Sequence, residues 1–385
     1  MAVTNDLVTD RRVDRHCQTL QEAGNDVLLI GRLLPESEPV SRPYATCRMR
    51  LCFRRSWRFY AEYNWRLFIK LLFTKADIVW ANDTDTLPAC WLAAWLKGCR
   101  LVMDSHELFP EVPELVDKPR VRRVWAFFER HLLPHCDARI TVCQSIADYY
   151  RRMYGVEYSV VRNISQNEDC VVRDEALTSQ KPIQHSTMKT LLYQGAVNVG
   201  RGIDWAIDAL EYLPQCRLVV AGVGDEYEKM RAYGASKPWA DRVQFLGRVE
   251  PARLQHLTPQ ADVGLVMLAD MGLNYRYALP NRVGDFVAAG VPMVVSDMPE
   301  MAAVVRKYGI GEVIEGVKGS EKTNAEALAE AVEKVLAREW SDADFAAARA
   351  DMDWNKEKEK LIECVNVLMR KCVSYDAENT SALTQ

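Results

Sequence analysis

The stretch Tyr277-Ala-Leu-Pro280-Asn-Arg282-Val-Gly-Asp285-Phe-Val-Ala-Ala-Gly290-Val-Pro292 decides the fold. Pro280 and Asn281 are residues that open helices and Gly290 is one that closes them, so the spacing predicts a short helix over Asn281–Ala289. A loop precedes it, and Met293–Val295 follows as a buried strand. Arg282 and Asp285 stand three apart and share one helical face. A guanidinium there meets a phosphate while the carboxylate accepts from a ribose hydroxyl. With the open N–H groups of a helix start, this suits a nucleoside diphosphate.

Working outward, strand-like and helical segments alternate, which argues for parallel sheets with crossover helices. In the first half the strands fall near Val27–Ile30, Ala76–Trp80, Arg100–Met103, Ala138–Val142 and Tyr158–Val161, with helices near Arg11–Ala23, Leu87–Lys97, Arg120–Leu133 and Gln144–Met153. The second half restarts with strands near Thr190–Tyr193, Arg217–Ala221, Val243–Phe245, Val263–Met267 and Met293–Val295. Helices near Ile203–Leu210, Glu226–Tyr233, Ala252–Leu257 and Glu300–Lys307 separate them. Ala325–Ala337 and Lys356–Val373 read as helices, and the polar segment Asn163–Met188, with Lys181-Pro182 as its punctuation, as the linker. This predicts three parts: residues 1–165, 166–350, and a C-terminal helix with a polar tail over 351–385, the helix packing back on the first domain. Met1-Ala-Val-Thr leaves room for only a short first strand; either it is a short edge strand or the natural start lies upstream.

At 385 residues two domains each have material for a core, and 49% apolar with 26% charged residues is ordinary for a folded soluble chain. A net charge of −4 gives no global pull toward nucleic acid or anionic lipid. Eleven cysteines are scattered without metal-ligand spacing, pointing to reduced thiols in a cytoplasm. No signal peptide or long uncharged apolar run is visible.

Gly195-Ala-Val-Asn-Val-Gly-Arg201-Gly202 follows a strand and opens a helix. Glycines there let backbone approach a phosphate and Arg201 neutralises it; a plain structural turn is the alternative. Gly222-Val-Gly224-Asp225 and Phe245-Leu-Gly-Arg248-Val249 end the next two strands, each weak evidence alone.

Taken together, these segments resemble the donor half of retaining, family-4-type glycosyltransferases of the bacterial surface-polysaccharide kind. In them a carboxylate lies five residues before the Gly of a G-x-P-V-V turn, as Asp285 does before Gly290. A Pro-x-Lys ahead of it corresponds to Pro280-Asn281-Arg282. The resemblance implies the GT-B fold: two Rossmann-like, doubly wound α/β domains facing a central cleft. It implies that Arg201 and Arg282 hold the departing diphosphate and that Asp285 grips the ribose. Gly195, Gly202, Gly222, Gly224, Arg248, Val249, Asn274, Pro280 and Asn281 would complete the donor site. Three departures stand out: Asp285 replaces the usual Glu, Tyr277 the family's first Glu, and Ala196 an Arg of the glycine loop.

In the first half, Asp104-Ser-His106-Glu107 ends a strand. An imidazole there can contact a sugar hydroxyl or donate toward a departing phosphate, or simply cap a helix. The resembled enzymes have a His at the corresponding strand end that contacts the donor sugar, so His106 takes that role. Asn82-Asp83-Thr84-Asp85 has the Asp-x-Asp form of a metal–diphosphate site. With Arg201, Arg248 and Arg282 available as counter-charge, no metal is expected; Asp85 is expected to cap the helix starting near Leu87. Asp83, Glu107, Asn5, Asp6 and Asp10 are acceptor-side candidates.

Segment 42–75 holds nine Arg/Lys against one acid, Glu62, with nine aromatics interleaved. At 100° per residue Arg55, Arg58, Glu62, Arg66 and Lys70 form one stripe, with Phe53, Trp57, Tyr60, Leu67, Phe68 and Leu71 opposite. Such a helix lies on an anionic membrane, or else is a crossover helix with a solvated basic face. No nucleic-acid motif accompanies the charge.

The expected function is metal-independent transfer of a sugar from a UDP-, GDP- or ADP-sugar to a glycan or lipid-linked acceptor, with retention. No other cofactor is expected. The expected location is cytoplasmic, peripheral at the inner membrane face. The alternatives are a sugar-nucleotide epimerase or hydrolase on the same fold, and a non-catalytic partner in a glycan-assembly complex.

Overall fold

Apolar strands alternating with amphipathic helices build two separate α/β units, Met1–Asn163 with Glu357–Gln385, and Ile164–Lys356. The computed structural model describes residues 1–8, 10–164, 188–314 and 323–382. Most of the expected linker lies outside the described residues.

The first unit runs α1 (Arg11–Glu22), β1 (Leu28–Leu33), β2 (Ala45–Arg50), α2 (Ser56–Leu72), β3 (Ile78–Asn82), α3 (Leu87–Lys97), β4 (Arg100–Ser105), α4 (Pro113–Val116), α5 (Pro119–Leu132), β5 (Ala138–Thr141), α6 (Gln144–Tyr154) and β6 (Ser159–Val160). Asp10 caps α1 by accepting from the Val13 N–H. Its apolar stripe Val13, Cys17 and Leu20 is buried, and Val13 and Cys17 join Leu7 and Leu29 in one cluster. Strands β3-β4-β5-β6 pair in parallel, as do β1 and β2. Ala2 bridges Ile30 on one side and Ala81 on the other. The opening residues therefore sit inside the sheet and are not a short edge strand. Counting that segment, the order is β2-β1-Ala2-β3-β4-β5-β6, all parallel, and the order in which successive strands are added reverses beside Ala2.

Segment 42–75 corrects the sequence reading twice. Its first part, Ala45–Arg50, is strand β2, paired residue for residue with Leu28–Leu33. In α2 the buried stripe is Phe59, Tyr63, Leu67 and Leu71, whereas Phe53 and Trp57, expected on the apolar face, are exposed. Nor is Glu62 merely solvated: it accepts from the Cys52 and Phe53 N–H groups and from Arg66, fixing the turn between β2 and α2.

The second unit runs β7 (Lys189–Gln194), α7 (Ile203–Ala209), β8 (Cys216–Ala221), α8 (Tyr227–Ala235), β9 (Val243–Gly247), α9 (Pro251–Leu257), β10 (Val263–Val266), α10 (Leu273–Arg276), α11 (Asn281–Ala289), β11 (Met293–Ser296), α12 (Pro299–Tyr308), β12 (Gly311–Ile314), α13 (Asn324–Leu336) and α14 (Asp342–Asp351). Strand β12 and helix α14 are additions to the sequence reading. The six strands are parallel in the order β12-β11-β10-β7-β8-β9. Alternation along β7 sends Leu191 and Tyr193 into one core layer and Leu192 into the other, so both faces are buried. Helix α11 ends at Gly290, whose φ of 69° is the left-handed stop that glycine supplies cheaply.

The last helix, α15 (Trp354–Ala382), belongs to the first unit from Glu357 onward. There the fully buried Glu357 carboxylate takes the Arg162 N–H at 2.9 Å and its guanidinium at 2.8 Å.

Candidate functional site

In an open doubly wound sheet the ligand crevice lies at the carboxyl ends of the strands where strand order reverses. In the second unit that point is between β7 and β10. Arg282 spans it: one guanidinium nitrogen donates to Gln194 O, ending β7, at 3.1 Å, and the other to Met267 O, just past β10, at 3.5 Å. The side chain is buried, its group lying 4.6 Å from the centre of the Tyr193 ring. Arg201 lies over the Tyr275 ring at 4.9 Å, and Tyr275 is fixed by donating to Val199 O. Among the described residues neither arginine pairs with a carboxylate, and the Nε of each is buried without a hydrogen bond. Two guanidinium groups are thus left as counter-charge for an anion.

Two glycine loops frame this point. Gly195 donates to Ala221 O, and a Cβ on Gly222 (φ 155°) would sit 1.8 Å from Gly195 O, so only glycine permits the loops to touch. Gly224 backs onto Val197 and Asn198, and Gly202 (φ 66°) precedes α7. Pro280 stands immediately before α11 and Asn281 is its exposed first residue. Asn274 is buried on α10, Tyr277 follows that helix, Arg248 is exposed past β9, and Val249 packs on the core.

Asp285 is held in place by a residue the sequence reading passed over. Gln194 donates from Nε2 to Asp285 at 3.0 Å and accepts from Thr258 at 2.8 Å. A buried amide following the apolar run Leu191-Leu192-Tyr193, directly before Gly195, was the signal.

The first unit has its own reversal point, where Ala2 meets β3. Asn82 donates to Ala2 O from both its backbone and its side chain. Asn5 and Asp6 lie past this point on one side and Asp83 on the other. Asn5 is tied to Asp10 and to the Leu7 N–H, and Asp6 to Ser37 and the Val8 N–H. Asp85 does not cap α3: its carboxylate accepts from Thr4 at 2.7 Å, and Thr86 stands at the helix start instead. Burial pushes Asp85 up to about 7, with Glu107 adding to the rise.

His106 lies between two carboxylates. Its Nδ1 is 3.3 Å from Asp83 and its Nε2 is 3.3 Å from Asp104, while its backbone N–H donates to Asp83 at 2.8 Å. Burial alone would lower this imidazole; Asp83 and then Asp104 reverse that and hold it at about 9. Asp83, in a left-handed conformation (φ 60°), is itself pushed upward by burial. Behind Asp104 stand Arg12, donating at 2.8 and 3.2 Å, and His16 at 3.2 Å. Burial would raise Asp104, but the charge of Arg12 and then that of His106 outweigh it and hold the carboxyl well below its usual range. His16, buried beside Arg12, drops to about 4 and stays neutral. The result is a cationic His106, 18% exposed, whose ring nitrogens each face a carboxylate at 3.3 Å and whose Nε2 is buried without a hydrogen bond.

The family model for Glycosyltransferase Family 4 matches residues 9–164, and that for Glycosyl transferases group 1 matches residues 188–338. No curated protein matches the chain by sequence. Among solved structures, sucrose-phosphate synthase from Thermosynechococcus elongatus aligns with a TM-score of 0.77 at 16% identity, over 94% of this chain and 93% of that one. Anabaena HepE, solved with UDP-glucose, aligns at 0.72 and 13% identity, over 95% and 98%. The lipopolysaccharide outer core galactosyltransferase WaaB aligns at 0.66 and 14% identity, over 94% and 97%. At such identities the likeness speaks for the fold, which is GT-B. With both halves matched in tandem, the chain belongs with the glycosyltransferases of the family-4, group-1 type.

Proposed function

We propose that the chain moves a hexosyl unit from a nucleotide sugar to a glycan or lipid-linked saccharide of surface-polysaccharide assembly, with retention and without a metal, at the cytoplasmic face of a membrane. The observation that carries this is Arg282 across the β7–β10 reversal, with Arg201 near the same loops and neither matched by a carboxylate among the described residues. Negative charge grows on the diphosphate as the sugar departs, so fixed cations there lower the barrier more than they tighten the ground state. Asp285, oriented by Gln194, accepts from the ribose. His106 donates to the transferring sugar or its phosphate; as a cation it has no lone pair to offer and is not the base. The departing phosphate then takes the acceptor proton on the face where the acceptor attacks.

HepE is solved with UDP and with UDP-glucose, which makes UDP the first base to try. The test is thermal stability with UDP, GDP, ADP and CMP, followed by NMR of the anomeric configuration of the product. Stabilisation by one nucleotide and a retained configuration are expected; inversion overturns the retaining mechanism. Tyr277 and Ala196, where the family has Glu and Arg, favour a second reading as a non-catalytic partner, and no stabilisation by any nucleotide would select it.

A further inference from the structure

Among the described residues, five aromatic side chains of the first unit are more than half exposed: Trp57 (73%), Trp65 (64%), Phe73 (86%), Trp95 (67%) and Phe127 (56%). Single exposed apolar residues are normal, but three tryptophans and two phenylalanines on adjoining helices are not. With right-handed crossovers, the strand order puts α2, α3 and α5 on the same face of the first sheet. The helices touch: the Ala89 N–H donates to Asn64, Lys97 donates to Leu71 O, and Tyr60 meets Trp125 edge-on at 5.0 Å.

Charge on this face has one sign. Arg54, Arg55, Arg58 and Lys70 are exposed on and before α2, and Arg120 and Arg123 on α5. The one acid of α2, Glu62, is spent on two backbone N–H groups and Arg66. The one acid of α5, Glu129, is fully buried, and α3 has none. Tryptophan interleaved with arginine, without free acids, matches the headgroup layer of a bilayer, where indole rings settle and cations meet lipid phosphate.

We infer that the shared face of α2, α3 and α5 docks on an anionic lipid bilayer, with Trp57, Trp65 and Trp95 entering the headgroup layer and the arginines held at phosphate depth. The surface extends well beyond the basic segment 42–75 and uses no residue of the nucleotide site. It is an attachment to one leaflet: among the described residues no helix is long and apolar enough to cross a membrane.

The test is co-sedimentation of the full chain with phosphatidylcholine vesicles and with vesicles containing phosphatidylglycerol as well. Wild type should pellet with the phosphatidylglycerol vesicles and shift its tryptophan emission to the blue. Trp65→Ala with Trp95→Ala should lower that partition about tenfold and reduce the blue shift at an unchanged melting temperature. Arg54→Glu with Arg58→Glu should abolish the preference for anionic vesicles. Equal binding to both vesicle types, or binding to neither, overturns the inference. So does a concentration-dependent dimer lost in Trp65→Ala, or retention of an oligonucleotide in place of vesicles. Nucleotide-induced stabilisation of the same samples reports separately on the transferase reading, so the two can fail independently.

Discussion

Asp83 grips His106 twice, taking its backbone N–H at 2.8 Å and facing its Nδ1 at 3.3 Å. The carboxylate therefore sets both the position and the charge of the ring. His106 is protonated below about 9, so an activity that needs the cation persists through neutral pH and falls as pH rises through that value. In Asp83→Asn one flanking charge is gone, and the midpoint should drop by about one unit. NMR titration of the ring protons, beside a pH profile of kcat, checks both. An unmoved midpoint would show that Asp104 alone sets the charge.

Arg282→Ala should erase stabilisation by the cognate nucleotide. At a hundred times the dissociation constant that stabilisation is about 2.7 kcal/mol in wild type, a shift of a few degrees. The variant also leaves Gln194 O and Met267 O without this donor, so the apo protein should itself lose about 1–3 kcal/mol. Scans with and without ligand separate the two losses. Arg282→Lys, which keeps charge but not the two-carbonyl span, should recover part of the ligand effect.

Gln194→Leu removes the donor that orients Asp285 while keeping the volume of the buried site. Donor KM should rise about tenfold with a smaller change in kcat, as expected when a ground-state contact to the ribose is loosened. Thr258→Val, one step further out, should do the same more weakly. Equal KM in all three proteins would remove Gln194 from the site's support.

Glu129 is fully buried, and burial pushes it from 4.5 up to about 7 even though Thr84, Tyr154 and Tyr150 all donate to it. Its protonated form is favoured in the folded state. The favourable contribution is complete below 4.5 and is lost as pH rises through about 7. Glu129→Gln should flatten that part of the stability curve, as read by urea denaturation across the range. The hydroxyl of Thr84 ties this group to the loop carrying Asp83, so the variant also reports whether that loop depends on the buried charge.

The punctuation of the chain made much of this architecture readable. Helices Leu87–Lys97 and Asn281–Ala289 have the bounds their sequence implies, because Gly98 and Gly290 stop them in the left-handed conformation. The glycine loop, Arg282 and Asp285 do meet at one sheet reversal. Strand β2 was hidden because Ala-Thr-Cys-Arg-Met-Arg lacks a buried face: its residues are exposed or half-buried, leaving no alternation to detect. Asp85 read as a local cap because Thr4, its true partner, lies 81 positions away. Gln194 holding Asp285 across 91 positions, and Arg12 reaching Asp104 across 92, are likewise products of topology that no local pattern encodes.

The ion pair between Arg162 and Glu357 sets an order of events during synthesis. Residues 195 positions apart complete one unit, so the first sheet emerges from the ribosome long before its last helix exists. At about 5–20 residues per second that interval is roughly 10–40 s, during which the whole second unit is translated and free to fold. The first-made half of this protein is therefore the last to be finished, and its unpaired surface is what a chaperone would meet on the nascent chain.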